Sequence, residues 1–122
     1  MVDTTVSPLH DLLDVKRLIE ADAWDYATRR CQQDVASLNL RREQVREVLM
    51  LLEPSNFRKV FGPCQTDFGT RNADDYVLWC DLTTLQRCRR DQGDCLSIKL
   101  SVDSHPEDGD ACLLISFHLS GR

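Results

Sequence analysis

Apolar residues recur along the chain first at three- and four-residue spacing, then at every second position. Leu9, Leu12 and Leu13, then Lys16 and Ile19, predict a helix over 9–20. Acidic residues come early in it and Lys16 and Arg17 late, the order a helix dipole favours. Trp24 to Tyr26 reads as a short extended link. Thr28 can cap a second helix that carries Cys31, Val35 and Leu38 at i, i+4 and i+7, and Asn39 ends it. Val45, Val48, Leu49 and Leu52 predict a third helix. Pro54 and Ser55 restart a short helical turn from Asn56 to Phe61, which Gly62 and Pro63 end. Residues 62–74 read as loop.

The period then changes. Tyr76, Leu78, Cys80 and Leu82 share one strand face; Val77, Trp79 and Asp81 share the other. Residues 83–94 are polar and read as a long connection. Leu96, Ile98, Leu100 and Val102 form an apolar face, with Ser97, Lys99, Ser101 and Asp103 opposite. A hairpin loop is expected over 104–110. The last strand places Leu113, Ile115, Phe117 and Leu119 inside and Cys112, Leu114, Ser116 and His118 on the other face. The expected fold is α+β. N-terminal helices (about 9–61) pack on one face of a C-terminal antiparallel sheet (about 75–119), in a single domain spanning 1–122.

The hairpin register follows from the faces. Apolar sides must coincide, so paired residue numbers sum to about 215 for a loop centred near Glu107 and Asp108. Ser97 then stands beside His118, and Lys99 beside Ser116. With helices on the apolar side, Lys99 and His118 share the open side.

Composition narrows the classes. The chain is 42% hydrophobic and 29% charged, a globular balance. Its net charge of −5 argues against a broad nucleic-acid-coating surface. Charge is uneven, however: segment 28–59 has seven basic residues against four acidic, while the first 25 residues have six acids and two bases. Such asymmetry can steer a polyanion to one face. Lysine is scarce, with only Lys16, Lys59 and Lys99.

The apolar run Val48–Leu52 is too short to span a membrane. The start lacks a leader pattern, so no secretory signal is expected. Six cysteines form no C-x-x-C pair, so no metal or cofactor is expected. Reduced, mostly buried thiols in a cytoplasmic protein are expected, with a Cys88–Cys95 bridge as the other possibility.

Several segments, in order, resemble the MqsR-type toxins of bacterial toxin–antitoxin modules. Leu13-Asp14-Val15-Lys16-Arg17-Leu18-Ile19 is similar to that family's first helix. Leu52-Glu53-Pro54-Ser55-Asn56-Phe57-Arg58-Lys59 resembles its L-x-x-S-D-F-Y-K segment, and Trp79-Cys80-Asp81 its W-Q-D. Leu96-Ser97-Ile98-Lys99-Leu100 resembles its V-Y-L-K-I strand, and Leu114-Ile115-Ser116-Phe117-His118 its terminal L-I-V-S-F-K. The resemblance implies a fold like that of RelE toxins and microbial ribonucleases. It also implies metal-independent cleavage of messenger RNA and neutralisation by a cognate antitoxin protein. The family's lysine matches Lys59; its glutamine falls on Cys80, its strand tyrosine on Ser97 and its terminal lysine on His118.

Metal-free RNA cleavage needs a base for the 2′-hydroxyl, an acid for the leaving 5′-oxygen, and fixed positive charge for the phosphate. His118 suits proton transfer. Lys59 and Lys99 suit the phosphate, and Ser97 can assist by hydrogen bond. Arg58, Arg87, Arg89 and Arg90 are candidate RNA contacts. The expected partners are RNA and an antitoxin protein, with no membrane. The alternative is a catalytically degenerate member of the fold that binds protein or RNA.

Overall fold

The computed structural model describes residues 7–105 and 107–120. Its elements are helix α1 (Leu12–Glu20), strand β1 (Trp24–Tyr26), helices α2 (Arg29–Ser37) and α3 (Arg42–Leu49), a 3-10 turn (Pro54–Asn56), and strands β2 (Phe57–Thr66), β3 (Gly69–Asp81), β4 (Gln86–Arg87), β5 (Asp94–His105) and β6 (Gly109–Leu119). The architecture is α+β: three helices and a six-stranded mixed sheet. The sheet runs in the order β1-β6-β5-β3-β2, with β4 paired to the end of β3. It is not purely antiparallel, because β1 joins β6 in parallel. No described helix is long and apolar enough to cross a membrane.

The helices form where local chemistry asks for them. Asp11 accepts the Leu13 N–H at 2.8 Å and caps α1. The Thr28 hydroxyl caps α2 by accepting from Cys31 N–H at 3.0 Å. Asn39 takes a left-handed φ of 60°, which ends that helix. The Gln44 side chain reaches back to the Arg41 N–H at the start of α3. Leu12, Val15 and Ile19, then Cys31 and Val35, then Val45, Val48 and Leu49, all enter one core. From the sheet it takes Tyr76, Leu78, Cys80, Leu96, Ile98, Leu100 and Phe117.

The strands depart from expectation in several places. The helical turn expected from Asn56 to Phe61 stops at Asn56; Phe57 begins β2. The loop expected over 62–74 is instead the rest of β2 and half of β3, joined in an antiparallel hairpin. Shifts of register between Phe57 and Lys59 and between Phe61 and Cys64 break its alternation. The hairpin loop expected over 104–110 is shorter, since His105 still pairs with Gly109; Pro106 lies outside the described residues.

β5 and β6 pair as expected over their outer halves: Ser97 faces His118 and Lys99 faces Ser116. Between Lys99 and Leu100 the register shifts, because Ile115 is an extra residue in β6. The shift swaps faces. Cys112 and Leu114 turn towards the helices, while Leu113 and Ile115 turn away to meet Ala27 and Ala73, with Cys64 against them. The helix-free face therefore has a small core of its own at one end. The β2–β3 hairpin reaches over that end, where the Asp67 N–H donates to the Ala27 carbonyl at 2.8 Å.

Candidate functional site

The remainder of the helix-free face is uncovered, and cross-strand pairing fixes what stands on it. Lys59 of β2 is opposite Asp75 of β3, Asp75 is opposite Lys99 of β5, and Lys99 is opposite Ser116 of β6. These four residues form one row across four strands. The next row holds Val77, Ser97 and His118. Diagonal neighbours such as Lys99 and His118 lie roughly 7–8 Å apart at the backbone.

The cations here are held by an aromatic ring. The Lys99 ammonium lies 4.7 Å, and that of Lys59 5.6 Å, from the centre of the Phe61 ring, which is 42% exposed. Neither lysine takes part in an ion pair among the described residues. Asp75, between them in the row, is 3% exposed, and its Oδ1 is buried with no hydrogen-bond partner among the described residues. Sequence reading passed over Asp75 because it stands at the first position of the expected sheet, directly after the stretch taken as loop. The signal was present: Asp75 continues the face of Val77 and Trp79 by one alternation.

His118 is half-buried, and its Nδ1 lies 2.9 Å from the Leu119 carbonyl oxygen. A carbonyl only accepts, so Nδ1 carries the hydrogen and Nε2 is left for chemistry. With Ser116 and Ile115, His118 lines a hollow of about 320 Å³ bounded by Arg30 and Asp34 of α2. Ser97, opposite His118, is buried.

A second hollow, of about 470 Å³, opens beside Val77, Trp79 and Cys95. Arg58 and Arg90 both line it, so these two arginines share the field with Trp79. Arg87 does not join them. It pairs with Cys80, a residue facing the helices, and its guanidinium lies 2.5 Å from the Glu53 carboxylate. That contact holds the Glu53 carboxyl below its ordinary range. Arg89 is exposed in the connection after β4 and does not line the hollow.

Three of the thiols are poor nucleophiles. All six cysteines are free, Cys88 and Cys95 included. Burial pushes Cys31 and Cys112 up to about 12 and Cys80 to about 11. Protonated thiols of this kind neither attack nor bind metal. Cys80 points into the helix-side core rather than to the open face. No cluster of three or more His, Cys, Asp or Glu suited to a metal ion occurs among the described residues.

No known protein family, curated protein or solved structure matches the chain.

Proposed function

We propose that this chain is a metal-independent endoribonuclease of messenger RNA, the toxin of a bacterial toxin–antitoxin module similar to the MqsR type and built on a RelE-like fold. One observation carries the reading: Lys59, Lys99 and His118 stand on the same uncovered field of the sheet, in adjacent rows. The two ammonium groups bind the scissile phosphate and stabilise the charge that grows on it in the transition state. The imidazole transfers a proton through Nε2. Arg58, Arg90 and Trp79 hold the flanking nucleotides, by phosphate contact and by stacking. Arg87 and Arg89 have no part in this. An antitoxin protein covers the field when the toxin is silent.

Purified protein incubated with RNA in excess EDTA is expected to produce fragments, and induced expression to arrest growth. RNA that is bound but left intact, with growth unaffected, would favour the binding-module reading. That reading draws on Cys80 facing the core and on the serine at 97, neither of which supplies an acid or base.

A further inference from the structure

The described chain buries three aspartates on its central strands, and two are fully used. Asp74 accepts from the Leu9 and His10 N–H groups, at 2.7 and 3.0 Å, one on each carboxylate oxygen. Asp103 gives one oxygen to Arg71 and the other to His105. Asp75 alone keeps a buried oxygen without a donor. An unmet buried acceptor is costly, and the two cations beside it are turned onto the Phe61 ring instead. The missing donor belongs to something that visits the face.

We propose that Asp75 is the general base of this site. It takes the 2′-hydroxyl proton of the bound ribose, which leaves His118 as the acid. The inference rests on the nuclease reading above. Lys59 and Lys99 flank the carboxylate on both sides, so it sits beside the charges that hold the phosphate. His118 is two strands and one pair away, a backbone separation of about 12 Å from ordinary sheet spacings. After both side chains reach inward, that span leaves room for one ribose–phosphate between base and acid. In the reaction the 2′-oxygen loses its proton to Asp75 and bonds to phosphorus. The phosphorus–O5′ bond breaks, and O5′ takes a proton from Nε2 of the His118 imidazolium, which is left neutral with its hydrogen on Nδ1. The products are a 2′,3′-cyclic phosphate and a 5′-hydroxyl, with no oxidant or metal consumed.

The test uses two substrates at the linkage the wild type cuts. With the natural 5′-oxygen, Asp75→Asn and His118→Ala are each expected to slow cleavage by about 10²–10⁴-fold, with RNA affinity retained. With a bridging 5′-sulfur the leaving group departs without a proton. His118→Ala should then recover most of the wild-type rate while Asp75→Asn stays slow. Asp75→Asn cutting natural RNA at the wild-type rate, or recovering on the sulfur substrate, overturns the assignment but not the nuclease. A wild type that cuts nothing removes the nuclease reading, and the assignment with it. If Asp75→Asn does not fold, His118→Ala decides alone: failure to recover on the sulfur substrate shows that His118 is not the acid and ends the proposal.

Discussion

His118 stands directly across the β5–β6 ladder from Ser97, and its Nδ1 is engaged by the carbonyl of the next residue, Leu119. The backbone thus selects one neutral tautomer, with the hydrogen on Nδ1 and a lone pair on Nε2. Nitrogen-15 spectra of the protein at alkaline pH are expected to show His118 in that form. A signal from the opposite tautomer would mean that the Leu119 contact does not hold in solution. The same geometry makes His118→Ala far more damaging to cleavage than Ser97→Ala, because Ser97 can only support by hydrogen bond.

Among the described residues Lys59 and Lys99 have no carboxylate ion-pair partner, and both rest on Phe61. Charge held this way is available to phosphate. Each lysine that neutralises one phosphate of single-stranded RNA contributes about 0.7 to the slope of log affinity against log salt. Lys59→Ala and Lys99→Ala should therefore each lower the slope by about that amount, measured by titration across a salt series. An unchanged slope in both variants would place the RNA elsewhere.

The sequence revealed the helices and the site in unequal measure. Val45, Val48 and Leu49 could be read because a helix face needs three or four apolar residues at fixed spacing, and these have it. The Ser97–His118 pairing could be read because one residue of slip would have moved every apolar side chain to solvent. β2 could not, since Gly62, Pro63 and two register shifts destroy the alternation that marks a strand. Asp75 was passed over with it: with 62–74 taken as loop, the alternating faces were read only from Tyr76 onward. The extra residue at Ile115 left no trace, because Leu113, Leu114 and Ile115 are apolar on either face. Arg87 was misplaced because the two-residue strand β4 is too short to show a period. Its side is set only by pairing with Cys80.

Arg87 and Arg58 offer a contrast between two arginines that look alike in sequence. Arg87 is paired with Glu53 on the helix side, partly exposed, whereas Arg58 lines the hollow beside Trp79. Arg87→Ala should leave RNA affinity unchanged and melting temperature nearly so, because an exposed ion pair adds little stability. Arg58→Ala should weaken RNA binding with little change in melting temperature. The reverse pattern would put the RNA path on the helix side.

Arg71, Asp103 and His105 fasten the structure where the ladder stops. The last β3–β5 pair is Asp74 with Leu100, and Arg71 and Asp103 lie beyond it. Their ion pair holds the two strands where no ladder bond does, just where the β2–β3 hairpin leaves to reach Ala27. Burial of Asp103 raises its carboxyl, but the His105 hydrogen bond and the Arg71 guanidinium outweigh this and hold it below the usual range. A carboxyl lowered on folding adds stability that is complete above the unfolded value, about 3.9, and is lost as pH falls through the lower folded value. Asp103→Asn should therefore melt below the wild type at pH 7, and the gap should close on acidification below about pH 4. Thermal melts of both proteins across that range check the sign. A gap that stays constant, or widens in acid, would show that Asp103 stabilises the hairpin by packing rather than by its charge.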